Sequence, residues 1–414
     1  MLSWGNRFNI CCFLDNNEYR LTGHHAEALL AADALEVLEC PAGNAFEQLR
    51  AFHDTAPGWL FGHLAYDLKN ETERLHSAHP DGIGFPDMFF FRPRYLLHLR
   101  QQELTISGEG LTETAAKQIL AECLREPANP PADVTWTPVP LQSPIDHAGY
   151  LYAVKALQEH IRKGDCYEVN FCREQFARMA IPDPLLLFRR LNALSPAPFA
   201  AWYKTGHKHL ACSSPERFLK KQGNRLLSQP IKGTARRSAD PAQDALLREA
   251  LLQSAKEQSE NVMIVDLVRN DLSRTAVQGS VKVDELFGIY AFPQVHHMIS
   301  TVTATLDERF HFTDAIRHAF PMGSMTGAPK VRVMQLIEQY ERSRRGLFSG
   351  AIGYITPEGD FDFNVVIRSI LYNAEQEYVS FQTGSAITFY SDPQKEWEEC
   401  LLKAKAMETA LGIV

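Results

Sequence analysis

The chain has 414 residues, 45% hydrophobic and 22% charged, an ordinary globular composition long enough for two domains or one large one. A net charge of −8 and a pI near 6.0, with no long basic run, give no support for a nucleic-acid partner. No apolar run reaches the length of a membrane span, and the N-terminus lacks a signal-peptide pattern, so a cytoplasmic protein with no membrane partner is expected.

In chain order, Met88 to Leu99 (MFFFRPRYLLHL) reads as a strand, rich in aromatic and aliphatic residues. Residues 127–144 carry six prolines, which fit neither helix interiors nor central strands. They predict an extended connector over 127–145 between an N-terminal part, 1–126, and a larger part, 146–414. Leu151, Val154, Leu157 and Ile161 recur at helical spacing, and that helix stops at Lys163-Gly164-Asp165. A long helix is expected after Asp240-Pro241, and two more after Pro329 and Asp392-Pro393, where proline suits the first turn. His209 to Ser213, Gly350 to Thr356, Phe363 to Tyr372 and Glu377 to Gln382 read as strands. The expected class is therefore α+β, with antiparallel strands and helices grouped outside them.

Of eight cysteines only Cys11 and Cys12 are neighbours, so neither a disulfide framework nor a zinc-ligand spacing appears, and reduced, buried thiols are expected. The pairs His24-His25 and His296-His297 come without an HExxH spacing, which leaves oxygen ligands for any metal.

Several segments carry chemistry. Gln229-Pro-Ile-Lys-Gly-Thr-Ala-Arg-Arg237 sets Lys232 between a proline and a glycine. It is either a solvated lysine after a turn or a nucleophile whose pKa is lowered by desolvation or by neighbouring cations. Glu216, 16 residues earlier, is a loop glutamate that could protonate a leaving oxygen if burial raised its pKa. Glu257 and Glu260 share one face of the long helix, and Glu396 and Glu399 repeat that spacing on the last helix with Lys403 beyond. These are either solvated faces or, if they meet, a site for a hard cation such as magnesium. The loop Phe320 to Lys330 (FPMGSMTGAPK) is either a tight turn before a capped helix or a set of amides for an anion. It is not a nucleotide P-loop, since Ala328 and Pro329 separate its glycine from Lys330.

Taken in order, SSPERF, PIKGTARR, KEQSENVMIVDLVRNDLSR, HHMIS, FPMGSMTGAPK, DFNVVIRSI and SDPQKEWEECLLKA closely resemble the chorismate-binding enzymes over residues 146–414, and GHLAYD at Gly62–Asp67 resembles their N-terminal part. The resemblance implies a large four-layer α/β/β/α sandwich of the anthranilate synthase component I type, into which the N-terminal third also packs. It implies chorismate as substrate and Mg2+ as cofactor, with Glu260 and Glu399 as direct ligands and Glu257 and Glu396 acting through water. Arg368, Lys403, Gly233, Thr234, His297, Ser324, Gly384 and Ser385 match substrate contacts.

Within the family, aminodeoxychorismate synthases resemble this chain in carrying lysine inside PIxGT, whereas anthranilate synthases usually carry alanine. Isochorismate and salicylate synthases have a general-base lysine in the block matching Gly164–Cys172, where this sequence has Glu168. The resemblance thus implies an aminodeoxychorismate synthase component I. Lys232 would attack C2 of chorismate while Glu216 protonates the departing C4 hydroxyl, and ammonia would then displace the lysine to give 4-amino-4-deoxychorismate, a precursor of 4-aminobenzoate and folate. A separate glutamine amidotransferase is the implied ammonia source, because no cysteine lies in a Gly-x-Cys-x-Gly turn. Rival readings are anthranilate synthase component I and a non-catalytic chorismate- or dicarboxylate-binding protein. Three positions depart from the family: Ala386 replaces a turn glycine, Phe348 a tyrosine, and Glu168 a more usual glutamine.

Overall fold

Every strand pairing described is antiparallel, and two long strands organise the rest. The computed structural model describes residues 1–19, 26–125, 136–292 and 295–413. His24, His25 and the first part of the Pro-rich connector lie outside the described residues. Ala28–Cys40 and Met88–Arg100 pair along their length, with a bulge between Ala34 and Glu36 where the ladder bends. On one side of the bend a sheet runs through Ile10–Asp15, Phe199–Thr205, Lys208–Ser214, Ser369–Asn373, Tyr378–Ile387 and Glu168–Arg178. On the other side a second sheet runs through Leu60–Leu64, Ala351–Ile355, Phe361–Val365, Arg217–Gln222, Arg225–Gln229, Val295–Thr305 and Lys282–Ala291.

The sheets pack face to face over an apolar core that includes Leu29, Phe61, Phe90, Tyr203 and Phe363. Helices Pro184–Leu194 and Pro393–Ala410 cover the outer face of the first sheet against Trp202, Ile370 and Phe381. Helices Ala255–Ser273 and Phe312–Ala319 cover the second against Leu226, Val302 and Ala304. The result is a helix–sheet–sheet–helix sandwich. Cys11 and Cys12 are successive residues of one strand and so enter different cores. All eight cysteines are free, and only Cys123 is not fully buried. Among the described residues no helix is long and apolar enough to cross a membrane.

The N-terminal third lies inside this body, because Ile10–Asp15 pairs with Phe199–Thr205 and Leu60–Leu64 with Ala351–Ile355. The described end of the connector is tied down as well. The indole Nε1 of buried Trp136 donates to the Leu411 carbonyl at 2.8 Å, and Gln142 bridges Phe176.

Two expected elements divide. The long helix after Asp240-Pro241 is two, Pro241–Leu252 and Ala255–Ser273, because Ser254 caps a fresh start by accepting the Glu257 amide at 3.4 Å. The strand expected over Phe363 to Tyr372 is also two, Phe361–Val365 and Ser369–Asn373, with Arg368 between them at φ 50. The first piece belongs to the second sheet and the other to the first, so the chain changes layers there. It makes the same crossing between Lys208–Ser214 and Arg217–Gln222, at Pro215-Glu216.

The close stacking of strands around Gly353 can be tested directly. A methyl group there would overlap the Asp362 carbonyl and the Phe363 ring. Gly353→Ala is expected to destabilise the fold by about 1–3 kcal/mol, the usual effect of overpacking, and to lower the thermal unfolding midpoint.

Candidate active site

The two layer crossings lie side by side, joined by the Val365 amide donating to the Glu216 carbonyl at 3.0 Å and the Ser213 amide to the Arg368 carbonyl at 3.3 Å. They bring Glu216 and Arg368, far apart in sequence, to one place. Glu216 is 5% exposed. Burial pushes its carboxyl up to about 7, against the opposing pull of Ser324, Lys232 and Arg368. Arg368 donates from Nη2 to His297 Nε2 at 3.2 Å, and a guanidinium can only donate, so the ring proton sits on Nδ1 and reaches Thr234 Oγ1 at 2.9 Å. Burial and then the Arg368 charge hold His297 well below its ordinary pKa, as a neutral ring. Burial also lowers Arg368 to about 10.

Lys232 and Gly233 lie on Ile231–Arg236, in a register shift against Val295–Thr305. The ammonium of Lys232 meets Glu168 Oε1 at 2.6 Å, with the two side chains 10% and 1% exposed. Here the structure corrects the sequence expectation of a lysine with lowered pKa. Burial does push Lys232 down, but the carboxylates of Glu168, Glu260 and Glu216 outweigh it and raise the pKa above the ordinary value. Its resting form is an ammonium ion-paired with Glu168.

Glu168 opens strand Glu168–Arg178 and is held by the loop that follows Phe320. Gly327–Ala328 pairs with Val169 and Glu168, and the Asn170 side chain donates to the Ser324 carbonyl at 2.8 Å. Gly327 has φ 131, and a Cβ there would overlap the Glu168 carbonyl, so only glycine allows this approach. The buried Arg345 guanidinium clamps the same junction by donating to the Met325 and Asn170 carbonyls at 2.7 and 2.9 Å. Ser324 Oγ is buried beside Glu216, and the two line a small cavity of about 20 Å³. Lys330 is not an anion contact here, since it turns to Asp271 at 2.6 Å and the Ala319 carbonyl at 3.3 Å.

Helices Ala255–Ser273 and Pro393–Ala410 carry the four glutamates into one electrostatic neighbourhood. Lys256 senses Glu260, Glu257, Glu396 and Glu399 together, and Glu257 is raised first by burial and also by Glu399 and Glu396. Burial takes Glu260 to about 7, and its Oε1 has no hydrogen-bond partner. Glu399 goes the other way: burial opposes the charge, but Lys403 at 2.7 Å prevails and lowers it. Lys256 approaches Glu260 Oε1 only to 3.7 Å, and four clustered carboxylates with an all-oxygen donor set fit a hard divalent cation. Among the described residues the one group of three or more that brings ligand atoms within 4.8 Å of one another is His53, Asp54 and His311, so no three of the glutamates gather that closely. The two histidines of that group have structural roles, because His311 Nδ1 accepts the Thr313 amide as a helix cap and His53 Nε2 bonds the Thr356 carbonyl.

Gly384 and Ser385 lie inside the ladder with Glu168–Arg178, opposite Cys172 and Phe171. The Gly384 carbonyl accepts from Lys403 at 2.8 Å and Ser385 Oγ bonds the Tyr150 hydroxyl at 3.1 Å. Ala386 continues the same strand opposite Asn170, and Phe348 is buried between the sheets. Sequence reasoning noticed Glu168 only as a departure and missed both its pairing with Lys232 and the role of Lys256. The i,i+4 spacing of Lys256 and Glu260 was a signal for the latter.

Residues 8–409 match the family described as chorismate binding enzyme. The chain belongs to the chorismate-binding enzymes. Within that family it is 39% identical over 359 residues to a Streptomyces griseus protein named aminodeoxychorismate synthase, covering 84% of this chain but only 49% of that one. It is 37% identical over 342 residues to aminodeoxychorismate synthase component 1 of Escherichia coli, covering 83% and 74%. The fold matches anthranilate synthase component I from Streptococcus pneumoniae with a TM-score of 0.80, at 25% identity and 94% coverage of each chain.

Glu216 gives a pH test. Its folded pKa lies above the ordinary value of 4.5, so the stability it contributes is complete below about 4.5 and is lost as pH rises through about 7. Glu216→Gln, which cannot ionise, is expected to raise the thermal midpoint relative to the parent at pH 8 and to leave it unchanged at pH 4.5.

Proposed function

We propose that the chain converts chorismate and ammonia to 4-amino-4-deoxychorismate through a covalent adduct on Lys232. The observation that carries this reading is a buried lysine, Lys232, near enough to act electrostatically on a second buried group, the Glu216 carboxyl raised to about 7. A group of that pKa is a protonated acid for much of the time at neutral pH and can release its proton to a leaving hydroxyl. The names of the Streptomyces and Escherichia relatives support the same product. Covalent attack divides one difficult substitution at C4 into two easier displacements.

Chorismate is a dicarboxylate, and the site offers cations at two places. Arg368, oriented by His297 and Thr234, suits one carboxylate, and Lys403 beside Gly384 and Ser385 the other. Gly233 keeps the backbone beside Lys232 free of a side chain at φ 94, where a Cβ would crowd Glu257. The Ser324 hydroxyl stands beside Glu216. Glu260, Glu399, Glu257 and Glu396 would hold Mg2+. When bound, that ion supplies positive charge for a substrate carboxylate and relieves the repulsion among the glutamates. The name component 1 of the Escherichia relative supports a second component, and a separate glutamine amidotransferase is the proposed ammonia source.

Incubation of the protein with chorismate, ammonium and Mg2+ is expected to yield aminodeoxychorismate without pyruvate by mass spectrometry. Lys232→Ala is expected to abolish it, and Glu216→Gln to lower kcat by about 10²–10⁴-fold, the range for one general acid. Anthranilate with pyruvate would move the chain to the rival activity, and binding without turnover to the non-catalytic reading. Mg2+ should raise the thermal midpoint of the parent protein, by binding the folded state alone, and Glu260→Gln should remove most of that rise.

A further inference from the structure

The ion pair of Lys232 with Glu168 at 2.6 Å poses a chemical problem, because an ammonium has no lone pair with which to attack carbon. Its proton must go to a neighbour. The carboxylates that face Lys232 are Glu168 from strand Glu168–Arg178, Glu216 from the layer crossing, Glu257 and Glu260 from helix Ala255–Ser273, and Glu399 from helix Pro393–Ala410. Glu216 is needed in its protonated form for the leaving hydroxyl, and Glu257, Glu260 and Glu399 are committed to the cation. Glu168 is the carboxylate that forms an ion pair with Lys232, at 2.6 Å. We propose that Glu168 is the positioning residue that accepts the Lys232 proton and thereby produces the neutral amine nucleophile.

The surroundings of Glu168 place an acceptor within reach and lower part of the cost of this exchange. Its side chain is 1% exposed and its Oε2 has no hydrogen-bond partner among the described residues, so Lys232 is the cation that pairs with it. Moving the proton from Nζ to the carboxylate replaces two buried charges by a neutral acid and a neutral amine, which removes the desolvation penalty of both. The backbone is fixed at this point by the Gly327 approach and by the Arg345 clamp, so the oxygen stays within reach of Nζ.

The proton count closes on the proposed reaction, on which this inference rests. Lys232 first passes a proton to Glu168. The Nζ–C2 bond then forms as the C4–O bond breaks, and Glu216 supplies the proton that makes the leaving hydroxyl water. Ammonia bonds to C4 as the C2–Nζ bond breaks, and its electron pair returns to nitrogen, leaving neutral Lys232. The ammonium at C4 gives a proton back to Glu216, and Glu168 returns its proton to Lys232. Chorismate and ammonia have become aminodeoxychorismate and water, with every side chain restored.

Glu168→Gln keeps the shape and removes the acceptor, while Glu168→Asp keeps an acceptor on a shorter arm. With the parent protein as reference, Glu168→Gln is expected to lower kcat at least about tenfold at pH 7, at the low end for lost acid–base catalysis, with KM for chorismate little changed. The deficit should shrink as pH rises and solvent base takes over, whereas Glu168→Asp should regain part of kcat and the parent pH profile. Equal kcat and superimposable pH profiles for the parent and Glu168→Gln would overturn the proposal. A second readout needs no turnover: competitive acetylation of Lys232 across pH, read by peptide mass spectrometry. Loss of the carboxylate should lower the Lys232 titration midpoint by about one unit or more, and an unmoved midpoint would overturn the pairing on which the proposal stands. If the parent makes no aminodeoxychorismate, the proposed function fails while the acetylation result still decides whether Glu168 holds the Lys232 proton.

Discussion

A lysine surrounded by carboxylates and removed from water is the constraint around which this site is arranged. Burying one charge costs several kcal/mol in a protein interior, and burying a pair is tolerable only when geometry is tight. The Lys232–Glu168 contact meets that condition at 2.6 Å. Around it the carboxylates outnumber the cations, and burial raises Glu216 and Glu260 to about 7. The same excess of negative charge that keeps the lysine protonated at rest creates a place for a divalent cation, while burial supplies the acid near neutrality. Negative charge and burial together therefore underlie three features that the proposed chemistry needs.

The fold turns this imbalance into a fixed geometry by crossing the chain between its two sheets. Glu216 and Arg368 occupy the two crossing points, where side chains need not join the apolar core on either face. Strand ladders on both sides hold the crossings within about a residue's register. Glu168 begins a strand of the first sheet and Lys232 lies on a strand beside the second, so their contact also joins the two layers. Mutations that alter sheet packing near these points should therefore disturb charge placement before they disturb secondary structure.

Much of this was legible in the residues, for reasons that differ by residue. The strands around Phe89 and Phe363 announced themselves by aromatic and aliphatic composition, and Asp392-Pro393 marked a helix start through capping chemistry alone. The family blocks located Lys232, Glu216 and the four glutamates. What could not be read was the electrostatic state. A lysine's pKa depends on partners 64 residues away in sequence, as Glu168 is from Lys232, and no local pattern encodes that distance. The breaks at Ser254 and at Arg368 were hidden for a different reason: the hydrophobic pattern continues across them, and only a cap or a positive φ ends the element.

The pairing of early strands with late ones also shapes how the chain comes into being. Leu60–Leu64 finds its neighbour only when Ala351–Ile355 has been synthesised, and Ile10–Asp15 waits for Phe199–Thr205. At about 5–20 residues per second the first of these waits is roughly 15–60 s of translation. During that interval the long apolar strands Ala28–Cys40 and Met88–Arg100 have each other but no opposing sheet, so their inner faces stay open beside the ribosome. The nascent first third is a natural client for a holding chaperone until its distant partners emerge.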